Sequence, residues 1–132
     1  MPDVYPYKGV KYGFPSGRYY GDCSGGKYTR IPVLRKCGAG IVCYNQSEGE
    51  IQFTSHFDLP GHIQTVPRGE LFAVLYVVLK ARKDSTIHFV TDNKGNLQLF
   101  HNKEEALRSM NKDIFDLLYE TITDDRINFT LT

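Results

Sequence analysis

The order of strand-like and helix-like runs most restricts the folds open to this chain. Arg18-Tyr19-Tyr20-Gly21-Asp22-Cys23 reads as a first strand, which Ser24-Gly25-Gly26 breaks. Cys37-Gly38-Ala39-Gly40-Ile41-Val42-Cys43-Tyr44 reads as a second, and its glycines point to close backbone approach or a bulge. After a turn at Asn45-Gln46-Ser47-Glu48-Gly49, the alternating run Glu50 to Phe57 reads as a third. The period then changes. Pro67 suits the first helical position, where its missing N–H costs nothing, and Leu71, Val74, Leu75, Val78 and Leu79 follow at helical spacing, predicting a helix to about Ala81. Thr86 to Thr91 reads as a fourth strand, and Asn93 to Asn102 as a short helix and a loop. Asn111 is a candidate cap for a helix with Ile114, Leu117, Leu118 and Ile122 on one stripe, ended by Asp124-Asp125. Ile127 to Thr132 reads as a fifth strand.

The resulting order is β-β-β-α-β-α-β. Strands joined by turns pair antiparallel, and strands joined through helices add in parallel with right-handed crossovers. The expectation is an α/β domain: a mixed five-stranded sheet, three strands antiparallel and the later ones parallel, with helices packed on it. Residues 18–132 form this domain. Residues 1–17 hold three of the six prolines, with Tyr5, Tyr7, Tyr12, Lys8 and Lys11, and read as an irregular extension. We read it as a tail lying on the domain; stacking and phosphate contact with nucleic acid is the alternative.

At 132 residues, 41% hydrophobic and 23% charged, the chain suits one domain with its own core rather than a disordered segment. A net charge of +1 excludes strong whole-molecule steering of nucleic acid, so polyanion binding needs a local patch or a bound metal. Lys27, Arg30, Arg35 and Lys36 are the best such patch, although a charge run is usually a solvated face. Cys23, Cys37 and Cys43 are odd in number, lack C-x-x-C spacing and have no His at ligand spacing. They read as reduced core or near-core residues of a cytoplasmic or nuclear protein, not as a zinc site. The longest apolar run, Leu71 to Leu79, is too short for a bilayer, so no membrane partner is expected, and the N-terminal sequence lacks the features of a signal peptide.

Three acids stand at informative places. Asp22 and Asp92 lie at the ends of strand-like runs, and Glu70 opens a helix-like run. Carboxylates from two strands and a helix can meet at one sheet edge. There they cannot all ionise unless a cation joins them, which makes a divalent metal the natural tenant and phosphodiester hydrolysis the natural chemistry. Each acid also has an ordinary explanation: a first-turn helix charge for Glu70, a cap or turn residue for Asp92, a solvated strand end for Asp22. His88, inside a strand, reads as a satisfied core histidine, and His56, His62 and His101 as surface or loop residues.

Over about residues 18 to 132 the chain resembles ribonuclease H of the type 1 family. The resemblance is carried by Asp22-Cys23-Ser24-Gly25-Gly26, Gly38-Ala39-Gly40-Ile41-Val42, Gln64-Thr65 with Arg68-Gly69-Glu70-Leu71, and Thr91-Asp92-Asn93. These match in order the family's first-strand Asp-Gly-Ser, its second strand, its helix-start motif and its fourth-strand Thr-Asp-Ser. Cys23 departs from the family's glycine. The family also supplies a fourth carboxylate and a His-bearing loop after the fifth strand, and the sequence reaches Thr132 before either. The expectation is therefore a domain without the usual C-terminal helix, completed, if at all, by a further polypeptide segment.

The resemblance implies an endonuclease that hydrolyses the RNA strand of RNA–DNA hybrids with two magnesium ions roughly 4 Å apart, manganese being able to replace them. Asp22 would bridge both ions, with Glu70 and Asp92 flanking. Ser24, Gly25 and Gly26 would bring backbone close to the RNA strand. Gln64 and Thr65 would sit near the 2′-hydroxyls and a DNA phosphate, and helix capping by Thr65 is compatible with that. Arg68 would touch phosphate or pair with a carboxylate. The alternative is a binding module of the same fold without catalysis.

Overall fold

The computed structural model describes residues 13–24, 38–44, 51–59 and 65–132, with backbone alone at 22–24, 38–39 and 51–53. Strands β1 (Gly17–Ser24), β2 (Gly38–Tyr44) and β3 (Ile51–Asp58) come first. They are followed by α1 (Val66–Lys80), β4 (Thr86–Val90), α2 (Lys94–Phe100), α3 (Lys103–Ala106), α4 (Lys112–Asp124) and β5 (Asn128–Leu131). Each strand lies within two residues of its expected bounds at either end. The stretch expected to hold a short helix and a loop contains α2, whose first turn the Asn93 side chain caps through the Asn96 amide, and is followed directly by α3.

The five strands form one sheet in the order β3-β2-β1-β4-β5. β1–β2 and β2–β3 pair antiparallel, and β1–β4 and β4–β5 pair parallel. β1 is thus the seam between the antiparallel and parallel halves. The β2–β3 register shifts at Cys43/Tyr44 rather than at the β2 glycines; at Gly40 the close approach is to the His56 ring, 3.2 Å from where a Cβ would stand. Tyr19, Ile41, Cys43, Ile87 and Phe89 are buried on the face that α1 covers, while Arg18, Tyr20, Val42 and Tyr44 are half-buried on the other. Burial pushes the Cys43 thiol pKa up, which keeps it protonated and inert in the core.

Burial in helix α1 goes beyond the five apolar residues named from the spacing: every residue from Leu71 to Lys80 is buried. The reason is tertiary. The helix lies on β1 and β2 and is also packed by α4, so no flank remains for water. Phe57 of β3 stacks on Tyr76 at 4.2 Å between ring centroids and meets Phe72 edge-on at 5.4 Å. Lys80 is accommodated by placing its ammonium over the Tyr76 ring, 5.9 Å from the centroid.

Residues 13–16, within the expected N-terminal extension, pack on the end of this helix. Phe14 is buried; its amide donates to Lys80 O at 2.8 Å and its carbonyl accepts from Arg82 N at 3.0 Å. Residues 1–12 lie outside the described set.

Two further corrections concern polar residues. Asn111 takes the N-cap position of α4 but makes no side-chain cap bond. Its Oδ1 instead accepts from Arg68 Nη1 at 3.0 Å. His88 is half-buried on the sheet face away from α1, not in the core, with Nε2 2.8 Å from Thr132 Oγ1.

Arg68, 1% exposed, reaches from the first turn of α1 to α4 and binds Asp113 through two parallel bonds of 3.0 and 2.7 Å. Those bonds and the positive charge hold the Asp113 carboxyl below its usual pKa. A carboxylate whose folded pKa is depressed stabilises the fold fully above about pH 4, its unfolded range, and loses that contribution as pH falls through the lower folded value. Asp113→Asn removes the charge that Arg68 binds through two bonds and is expected to cost roughly 2–3 kcal/mol at neutral pH, the low end for a broken buried pair, because Asp113 is partly exposed. In urea unfolding the gap between wild type and variant should shrink below pH 4; a gap independent of pH would contradict the ion pair. At the seam, a Cβ on Gly21 would stand 2.7 Å from Phe89 Cζ and 3.1 Å from Ala73 Cβ. Gly21→Ala is therefore expected to destabilise the domain by about 1–3 kcal/mol through overpacking, read as a lowered urea midpoint.

Candidate active site

The topology gathers one set of chain ends. β1 and β4 run parallel, and α1 returns between them, so its first turns lie toward the edge where both strands end. The β1–β4 pairing reaches Tyr20 opposite Val90; two residues further along the chain come Asp22, still in β1, and Asp92, in the connection after β4. Ala73 of α1 packs over Gly21, and Glu70 is one helical turn closer to the N-terminus of α1. The backbone thus brings the three acidic positions toward the same edge.

The start of α1 is held by four contacts. Thr65 caps it, its Oγ1 accepting from Arg68 N at 3.3 Å. Val66 takes the first helical position and Pro67 the second, one later than expected; the N–H absent at Pro67 is still among those with no partner inside the helix. The Pro67 carbonyl accepts from Asn96 Nδ2 at 2.9 Å, and Arg68 is anchored to Asp113. Glu70 lies beyond the first turn, which contains no acidic residue, so a first-turn dipole contact does not account for it. Its Oε2 accepts from Asn93 Nδ2 at 2.8 Å.

Asp92 is exposed in the β4–α2 connection, and none of the described residues forms a hydrogen bond or ion pair with its carboxylate. Asn93, the next residue, is not exposed and does two things at once: Nδ2 donates to Glu70, and Oδ1 accepts from Asn96 N at 2.9 Å. Each bond fixes the amide orientation the other needs, because a flipped amide would face a carboxylate with oxygen and an N–H with NH2. Asn96, buried, closes the circuit back to Pro67. Glu70, Asn93, Asn96 and Pro67 therefore form one hydrogen-bonded link between the N-terminal part of α1 and the start of α2.

The remaining expected residues divide as follows. Asp22 and Ser24 lie in β1, their backbones level with Gly40 and Gly38 of β2, and their side chains are outside the described set. Gly25, Gly26 and Gln64 are outside it altogether, as are Lys27, Arg30, Arg35, Lys36 and His62. Arg68 uses its guanidinium inside the protein, on Asp113 and Asn111. His56 and His101 are exposed. Asn93 was legible as part of a Thr-Asp-Asn motif, but its contact with Glu70 was not. Asn96 and Asp113 carried no signal, since isolated polar residues in helical stretches are ordinarily solvated.

Glu70 and Asp92 offer hard carboxylate oxygens, the donor type that magnesium and manganese prefer. One is tied to Asn93 and the other precedes it in the chain. These two residues fit a hard divalent cation. Among the described side chains, which do not include that of Asp22, no group of three metal-ligating residues gathers. No helix among the described residues is long and apolar enough to cross a membrane.

No protein-family model matches the sequence, and no curated protein matches it. Solved structures do match. The RNase H domain of PFV is 16% identical over 91% of this chain and 79% of that domain, with a TM-score of 0.65. RNase H1 from the halophilic archaeon Halobacterium salinarum is 13% identical over 89% of this chain and 83% of its own, with a TM-score of 0.64. The foamy viral protease-reverse transcriptase in complex with dsDNA is 14% identical over 89% of this chain and 80% of its own, also at 0.64. With the strand order and mixed pairing described above, these likenesses establish that the chain has a ribonuclease H-like fold.

Proposed function

We propose that this domain is a metal-dependent endonuclease that hydrolyses the RNA strand of RNA–DNA hybrids, with Asp22, Glu70 and Asp92 as its carboxylates and magnesium, or manganese in its place, as its cofactor. The observation that carries this reading is the bond from Asn93 to Glu70. It ties a carboxylate near the start of α1 to the connection that bears Asp92, at the edge where β1 also ends. The fold supports a nuclease-type activity, since RNase H domains are among the structures it resembles. A foamy viral protein of similar fold was solved with dsDNA, which supports a nucleic-acid partner here.

Bound divalent cations would supply Lewis-acid stabilisation of the phosphate and a water of lowered pKa. The chain's own part is to hold oxygens in place. Glu70 is fixed by Asn93, so its carboxylate is oriented before substrate arrives. Asp92 is exposed, where a phosphate backbone can approach. Thr65 uses its oxygen as an acceptor in the cap and retains its O–H as a donor, which suits a 2′-hydroxyl or a phosphate oxygen. Gln64 and the backbone of Ser24, Gly25 and Gly26 are the other proposed contacts. Arg68 acts from inside, keeping the first turn of α1 in place rather than touching phosphate.

The test is cleavage of a hybrid labelled on its RNA strand. The protein is expected to cleave it only with magnesium or manganese. Asp22→Asn, Glu70→Gln and Asp92→Asn should each lower the rate by more than about 100-fold, beyond what loss of an outer-shell partner causes, with thermal unfolding little changed. Cleavage that persists in EDTA, or a wild-type protein that leaves the hybrid intact, would defeat the reading. Hybrid binding that needs no metal and survives Asp22→Asn would identify a binding module instead.

A further inference from the structure

We infer that Asn93 is a positioning residue for the cation-binding edge, its amide orienting Glu70 on one side while it caps α2 on the other. The inference rests on the functional reading above and names the residue that sets the geometry of that site. Glutamate has three rotatable side-chain bonds, and a half-buried one near a helix start can turn toward solvent. The 2.8 Å bond from Nδ2 removes that freedom for Oε2 and leaves Oε1 to face other partners. The cap bond from Asn96 N to Oδ1 fixes the amide plane, and the bond from Asn96 Nδ2 to Pro67 O ties the arrangement to the first turn of the helix that carries Glu70. Asn93 N also donates to Thr91 Oγ1 at 3.2 Å, which secures the turn around Asp92. One residue thus sets the orientation of one proposed ligand and the backbone beside another. Partners of this kind typically affect metal affinity or activity by about 10–100-fold.

Two substitutions separate positioning from capping. Asn93→Asp keeps an oxygen for the Asn96 amide but replaces the donor facing Glu70 with a second acceptor. Asn93→Gly removes the side chain without adding charge, and glycine at an N-cap is only slightly worse than asparagine. If Asn93 positions Glu70, kcat for magnesium-dependent hybrid cleavage should fall about 10–100-fold in both variants with KM for the hybrid little changed. In metal-free protein the Asn93 side-chain amide protons should show a distinct NMR shift that Glu70→Ala abolishes. Mn2+ affinity, measured by electron paramagnetic resonance without substrate, should weaken at least about tenfold in Asn93→Gly. Full kcat in Asn93→Asp, or Mn2+ affinity in Asn93→Gly within twofold of wild type, would overturn the inference. A wild-type protein that binds Mn2+ without cleaving hybrid would sink the proposed function while leaving Asn93 to be judged on Mn2+ affinity. A protein that neither binds Mn2+ nor cleaves would sink both.

Discussion

From Leu71 to Lys80 helix α1 has no solvent face, and the rest of the domain is arranged around it. A helix between a sheet and a second helix must be apolar on most sides, and its neighbours must supply the surfaces that cover it. β1 and β2 lie beneath it, α4 beside it, and Phe14 packs on its last turn. Because α1 connects β3 to a strand that pairs parallel with β1, it runs against the direction of that pair. Its first turns therefore lie toward the edge where β1 and β4 end. The packing that forms the core also sets where Glu70 lies along the sheet.

Polar contacts then fix that end of the helix more tightly than packing alone would. The Arg68–Asp113 pair joins α1 to α4, and the Asn93–Asn96 link joins it to α2. Both are strongly interdependent arrangements. A buried guanidinium is tolerable only beside its carboxylate, and a buried amide only when both its ends are satisfied. Such groups restrict the ways neighbouring helices can sit, because a small shift leaves a buried polar atom without a partner. Glu70 lies within this restricted region, which is a sound physical setting for a carboxylate whose direction matters.

Low identity with solved ribonuclease H structures is compatible with a shared fold. At 13–16% identity this chain shares few residues with each of those structures, yet TM-scores of 0.64–0.65 accompany coverage of about nine-tenths of this chain. The sheet needs β-branched and aromatic residues at alternate positions, a glycine where Phe89 and Ala73 approach β1, and an apolar central helix. Many sequences satisfy those demands. Function does not follow from them, since a fold of this kind hosts more than one activity.

The order and kind of most elements were legible in the sequence, because alternation and helical spacing record which residues must leave water. The three acidic positions stood out for a related reason: each marks a boundary of a periodic run, Asp22 and Asp92 at the ends of strand-like runs and Glu70 near the start of a helix-like one. What could not be read were the side-chain contacts between distant segments. The burial of α1 on all sides required the sheet and α4 together. Arg68 found Asp113 across 45 positions, and Glu70 met Asn93 across 23. Asn111, a plausible cap by type, gave its oxygen to Arg68 instead. The sequence by itself determined which segments are strands and helices and where the chemically capable residues stand along them, because those follow from local periodicity. Only the tertiary structure decided which polar groups are joined, because a hydrogen bond depends on distance and angle between groups that the chain order leaves unspecified.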